Sequence, residues 1–281
     1  MSNLNPGNPI QPLSVGNVVS AGVRLYRSHL NQYLTLSFKA LLWSFVPVYG
    51  WAKAAEIGGV ISRLAFTELI NQPETVAEAQ RFTQPRMWSF LVNRILLSLI
   101  WLGVIVGLVL AYGLIVGLGA VAASAGGAIG TGILVILIFA ASIATIVFAV
   151  WLGSKLFLAD VPLAIEENVD ASSSIGRGWN LTKGSIGRLQ LIFLVAILIT
   201  IAIYLPAQIA LGVMAGTIGA LSENAEDVAA SGALVGLQLA NFVLNLIAEA
   251  IIRPFWQAIK AVVYYDLRAR REGLGLQLRN R

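Results

Sequence analysis

Two sets of side chains in this sequence have the types and spacing for chemistry. The first centres on Glu249 and Arg253, placed at i and i+4 with the acid first, the favourable order for a helical ion pair. Gln238, Asn241 and Asn245 precede them, and Gln257, Lys260 and Tyr264 follow, all at intervals of three or four residues. On a helix these eight positions form one continuous polar stripe on an otherwise apolar surface. Tyr204 and Gln208, one turn apart beside Pro206, are its natural partners from the preceding segment. Such a stripe does one of two things. It packs a helix against its neighbours, or it passes an ion, proton or small polar solute through a membrane.

The second set is Asp160, Glu166 and Glu167, three carboxylates close together in the sequence that could serve an enzyme acting on a lipid headgroup. The chain has one histidine, His29, and no cysteine. No Ser-His-Asp set, Cys-His set, HExxH motif or zinc-ligand spacing can be assembled from that inventory. The sequence therefore assigns no catalytic residue, no metal ligand and no cofactor.

The elements that must position these groups are membrane helices. Hydrophobic residues make up 57% of the 281 positions and charged residues 12%, far from the near-quarter charged content of soluble domains. No Lys or Arg occurs over residues 95–154 or 189–252, so all nineteen basic residues lie outside two long apolar blocks. Each block holds two spans of about 20 residues and a short connection. The breaks fall at the small, uncharged run 122–132 and at 222–231, which carries Glu223, Glu226 and Asp227. Because cytoplasmic segments are enriched in Lys and Arg, both breaks face away from the cytoplasm and both termini face it. The expected fold is all-α and polytopic, with two transmembrane hairpins giving four full spans: 88–122 with 133–157, and 186–221 with 232–253. The formal charge of +5 could suggest a nucleic-acid partner. The one-sided placement of the cations accounts for it without one.

Before the first hairpin lie three further parts. Residues 1–12 are a polar leader without the basic n-region of a cleavable signal peptide. Residues 13–30 carry Val15, Val18, Val19, Gly22, Leu25 and Tyr26 at helical spacing with Arg24 and Arg27 on the other side. They read as an amphipathic interfacial helix, or equally as a helix packed on the cytoplasmic ends of the bundle. Residues 31–71 form two helices around Pro47-Val48-Tyr49-Gly50. Were the first to cross and stay outside, Lys53, Arg63, Arg81, Arg86 and Arg94 would break the positive-inside bias, so a re-entrant or half-inserted helical hairpin is expected. Four GxxxG pairs (Gly103 with Gly107, Gly113 with Gly117, Gly212 with Gly216, Gly232 with Gly236) suit close helix approach, within the chain or between copies of it.

Between the hairpins, the connector 159–185 runs from Asp160, Pro162, Glu166 and Glu167 through the serines 172–174 to Arg177, Trp179, Asn180 and Lys183. Its carboxylates are placed to fold back onto its cations across the cytoplasmic face. This segment, the opening Leu13-Ser14-Val15-Gly16 with Leu25-Tyr26-Arg27, and the ending that starts at Tyr264-Tyr265-Asp266-Leu267-Arg268 resemble the family named for the membrane domain of glycerophosphoryl diester phosphodiesterases. In some members of that family the membrane domain precedes a soluble phosphodiesterase domain. The catalytic domain needs histidines and a carboxylate cluster for metal-assisted cleavage, which this chain lacks, so the resemblance implies a stand-alone membrane domain without that activity. Within it, Asp160, Pro162, Glu166, Arg177, Trp179, Asn180 and Lys183 are the cytoplasmic motif.

The expected function is thus non-enzymatic: a scaffold, assembly or membrane-organising protein of a bacterial cytoplasmic or internal membrane, as a homo-oligomer or with another membrane protein. Lys260, Arg268, Arg270 and Arg271, with Arg279 and Arg281 in the basic tail 267–281, would grip anionic headgroups. The alternative is a transporter or channel that uses the polar stripe.

Overall fold

The structure is a computed structural model that describes residues 14–221 and 228–273. The leader, the acidic residues Glu223, Glu226 and Asp227, and Arg279 and Arg281 lie outside the described residues. Every regular element among those described is a helix. Three are long and apolar enough to cross a membrane, α5 (Met87–Leu156), α8 (Ile186–Leu221) and α9 (Val228–Glu272). The other α-helices are α1 (Val15–Ser28), α2 (Leu30–Ser44), α3 (Tyr49–Leu69), α4 (Val76–Thr83), α6 (Val161–Ile165) and α7 (Ala171–Leu181), with a short 3-10 turn at Gln84–Arg86.

α5 is itself a hairpin. Its helical path breaks at Gly127, whose φ of 56° and ψ of −130° suit a residue without a Cβ. The expected break, 122–132, is helical on both sides of this one residue because its alanines favour helix. The arms return alongside each other. Tyr112 shares hydroxyl hydrogen bonds with Ser142 and Thr145, and a Cβ on Gly130 would land 2.2 Å from the Ala122 carbonyl oxygen. α8 matches the expected 186–221 and runs through Pro206. α9 runs through Pro254 and six residues into what was expected to be a tail.

The protein core lies below the hairpins, around the second half of α9. Ala258, Ile259, Ala261, Val262, Val263, Tyr264 and Leu267 are buried there against α1, α2, α3 and the start of α8. α1 crosses α9 at Gly22, where a Cβ would meet Ile259 at 2.8 Å. Its apolar stripe, Val18, Val19, Gly22 and Leu25, is buried, so its contacts support the packed reading of residues 13–30 over a helix resting on lipid alone. α2 and α3 form the expected pair around 45–48, closed by Val48 in the left-handed region at φ 60° and by Gly50, where a Cβ would sit 2.0 Å from the Trp43 carbonyl oxygen. Most of α3 is buried in the core, whereas the tip of the pair exposes Leu42, Trp43, Phe45, Val46, Tyr49 and Trp51.

Above the core the hairpins are bare. The most apolar 18-residue windows of α5, α8 and α9 bury 0%, 17% and 11% of their residues. All eight glycines of the GxxxG pairs have open space where a Cβ would stand. Among the described residues, the pairs therefore do not pack one helix against another. The close approaches fall instead at Gly22, Gly50, Gly59, Gly119, Gly130 and Gly178.

Candidate functional site: the polar seam and the charged rim

The polar stripe of α9 changes partner along its length. In its upper part Asn245 donates Nδ2 to the Asn241 carbonyl oxygen (2.7 Å) and to Asn241 Oδ1 (2.6 Å). Gln208 Nε2 donates to the same Oδ1 at 3.3 Å, and the Tyr204 hydroxyl donates to the Asn245 carbonyl at 3.4 Å. The two partners expected from α8 thus reach the two asparagines. Gln238 stands apart, exposed and without a hydrogen bond among the described residues.

A turn lower, Arg253 donates to Glu249 Oε1 from Nε (3.1 Å) and Nη2 (3.0 Å), with the Glu249 side chain half exposed. The remaining nitrogen, Nη1 of Arg253, is buried and makes no hydrogen bond. Arg94, at the foot of α5, lies within electrostatic range of Glu249, Arg253 and Asp160. Its own guanidinium makes no hydrogen bond or ion pair among the described residues. It lines a cleft of about 390 Å³ with Ser44 and Trp51 at the α2–α3 tip and Ile95, Ser98 and Leu99 on α5.

Lower still the stripe meets the connector. Gln257 accepts from Ser62 Oγ (2.7 Å) and donates to Asp160 Oδ2 (3.3 Å), while Lys260 Nζ donates to both Asp160 oxygens at 2.9 and 2.8 Å. Tyr264 donates its hydroxyl to Glu166, which also accepts from Arg177 Nη2 at 3.0 Å. Arg177 reaches on to Glu272 at 2.5 Å, and Glu272 accepts from Arg268 at 2.9 Å. The expected fold-back of the connector is therefore a Glu166–Arg177 pair closed by the end of α9. Burial first, then the hydrogen bond to Glu166 and its charge, push the Tyr264 hydroxyl well above the ordinary tyrosine range. Burial opposes the Arg177 charge, but Glu166 and Glu272 outweigh it and raise its pKa.

The rest of the connector is locally specified. Pro162 sits in the first turn of α6, where its missing N–H costs nothing. Asp170 caps α7 by accepting from the Ser173 N–H (2.7 Å), while the Ser173 hydroxyl accepts from the Asp170 N–H (2.9 Å). The serine run is thus a helix start. Backbone and side-chain donors of Ser173 hold the Asp170 carboxyl below its ordinary value. Trp179 packs edge-on against Trp151 and under Lys155 Nζ at 5.0 Å, and Lys183 is exposed.

The four cations expected to grip headgroups are engaged within the chain. Lys260 pairs with Asp160, Arg268 with Glu272, and Arg270 with Asp266 at 3.0 Å; Arg271 donates to the Asn180 carbonyl at 2.8 Å. Glu167 makes no hydrogen bond or ion pair among the described residues, and no group of three or more His, Asp or Glu gathers there as a metal site.

Sequence reasoning passed over three groups. Asn93 is buried and donates Nδ2 to the carbonyls of Ala159 (3.0 Å) and Ala171 (2.9 Å), tying α5 to the connector. Arg63 and Arg86 both stand over the Phe82 ring (3.7 and 4.3 Å from its centre), Arg63 being held in a fork by Glu74. Arg24 and Arg27, noted only as a polar face, line a groove of about 700 Å³. Their i, i+3 spacing was the one legible signal among these; the others depend on contacts far apart in sequence.

No family model, curated protein or solved structure matches this chain.

Proposed function

We propose that this chain is a non-catalytic integral membrane protein that serves as an assembly or membrane-organising unit through self-association of its hairpins. The observation that carries this is the bareness of the hairpins together with eight GxxxG glycines that all face open space. Apolar helices of this kind are solvated by lipid, and exposed small residues let another helix approach closely there. In this reading the two arms of α5, α8 and the upper part of α9 are four spans, and the α2–α3 tip is half inserted through its aromatic residues. The core lies on the cytoplasmic side of a bacterial cytoplasmic or internal membrane with both termini. The resemblance to phosphodiesterase membrane domains rests on the sequence motifs alone and adds the expectation of a stand-alone module.

Hydrogen bonds from Tyr204 and Gln208 to Asn241 and Asn245 support a packing role for the seam over permeation. Self-association is tested by the mass of the purified protein in nanodiscs and by crosslinking in native membranes. Wild type is expected to be oligomeric, and Gly113→Leu with Gly117→Leu, or Gly212→Leu with Gly216→Leu, to shift it toward monomer with the helix content kept. A monomeric wild type across a range of protein concentrations removes the proposal.

A further inference from the structure

We infer that the groove between α1 and α8 binds the phosphate of an anionic phospholipid between Arg24 and Arg27, with an acyl chain laid along α8. The inference rests on the membrane reading above and adds a ligand and a site to it. The groove has a volume of about 700 Å³. Its polar side is Ser20, Arg24, Arg27 and Ser28, and its apolar side is Val19, Val23 and Ile199. Among the described residues, no acidic side chain lines it. Both guanidinium groups are exposed and make no hydrogen bond or ion pair among the described residues, unlike the arginines of the core. Like charges one turn apart on a helix repel, so the pair is relieved by an anion seated between them. A guanidinium fork matches phosphate oxygens in pairs, which makes two forks on one groove a phosphate site rather than a general cation patch.

Two contacts put the groove at the level where the hairpins leave the core. Tyr26, between the two arginines, donates its hydroxyl to the Ile251 carbonyl at 3.0 Å, two residues from Arg253. Thr200, next to Ile199, accepts from Trp256 Nε1 at 3.1 Å. Arg253 closes the lower end of the cation-free stretch of α9, so the Tyr26 contact brings the Arg24–Arg27 turn of α1 beside the last cation before the apolar span. Beyond Ile199, Ile203 one turn on continues the same face of α8 as exposed aliphatic surface. A lipid of the adjoining leaflet thus meets charge and hydrocarbon in the right order. A free phosphate would use only the first.

The test is native mass spectrometry of the full chain released from nanodiscs of equal phosphatidylglycerol and phosphatidylcholine, with competition by inorganic phosphate. Wild type is expected to retain phosphatidylglycerol preferentially. Arg24→Gln with Arg27→Gln should weaken that retention roughly thirtyfold, about fivefold for each cation near an anionic surface, and Arg81→Gln should not change it. A photoreactive phosphatidylglycerol should label α1 and α8 of wild type, a readout that stands even if the double variant folds poorly. Equal retention of the two lipids by wild type, unchanged retention by a folded double variant, labelling confined to other helices, or displacement by inorganic phosphate at the lipid's concentration each overturns the site. Failure of the protein to float with phosphatidylcholine vesicles would instead remove the membrane reading itself.

Discussion

Removing the Asn93 side chain should loosen the first hairpin from the core by an amount that the geometry fixes. Asn93 is 2% exposed, and its Nδ2 donates to the Ala159 and Ala171 carbonyls across about seventy residues of sequence. Each net hydrogen bond contributes about 1 kcal/mol, and the truncation leaves a small void, so Asn93→Ala should cost about 2–4 kcal/mol. Neither carbonyl is orphaned in that variant. Ala159 still accepts from Ser174 Oγ at 2.7 Å, and Ala171 lies in the first turn of α7. Ser174→Ala alone also leaves Ala159 a donor, in Asn93. Only the double variant strips the Ala159 carbonyl of both side-chain donors, which adds the desolvation penalty of about 1–3 kcal/mol for a buried acceptor. The double-variant cycle should therefore exceed the sum of the singles by that amount. Stability is read by SDS or urea unfolding in mild detergent, with limited proteolysis of the connector as a local probe. Additivity within about 0.5 kcal/mol would refute the shared-acceptor argument. Unchanged proteolysis in Asn93→Ala would refute its role as the tie.

Two further outcomes follow from the core. Glu56 is fully buried, with Thr83 Oγ1 donating to one oxygen at 2.6 Å and Lys53 Nζ standing 2.9 Å from the other. Lys53→Met leaves that charge unpaired and should cost about 3 kcal/mol, the low end for a buried pair because Lys53 is itself partly exposed. Adding Glu56→Gln should recover most of the loss in the same unfolding assay, and no loss in Lys53→Met would show that the pair contributes nothing. Burial, with the Glu68 charge adding to it, raises the Tyr33 hydroxyl well above its ordinary value, and Tyr264 is raised likewise. The unfolded chain ionises both at about pH 10 while the folded chain keeps the protons, so their contribution holds below that pH and is lost as pH rises through it. In an absorbance titration of tyrosinate these two should ionise only together with unfolding. Tyr33→Phe should flatten the alkaline fall in stability.

The membrane class, the limits of α8 and the partnership of Tyr204 and Gln208 with the α9 stripe were legible because each depends on period and composition within one stretch. Hydropathy and the two cation-free blocks gave the long apolar segments. Spacing by three and four gave the seam. What escaped depends on which residues meet across the chain. The GxxxG pairs are identical in sequence whether they face a neighbouring helix or open space. Helix periodicity placed an apolar stripe on α1 but could not tell α9 from lipid as its cover. Asn93 carries no pattern at all, because its meaning comes from carbonyls in a connector more than sixty residues away.

The same distinction governs the charges. Counted along the sequence, the end of α9 is the densest cationic surface and the natural place for headgroups. In the fold, Lys260, Arg268 and Arg270 face carboxylates and Arg271 donates to a backbone carbonyl, so each already has a partner within the chain with which a lipid phosphate would compete. Arg24, Arg27 and Arg94 are fewer and farther apart in sequence, yet their forks are unspent and they border the apolar surface. Anionic lipid gains most where a cation has nothing to give up. In the proposed reading, the placement of Lys and Arg sets which side of the membrane the core occupies, whereas the pattern of intramolecular pairing decides where on that side a headgroup would be held.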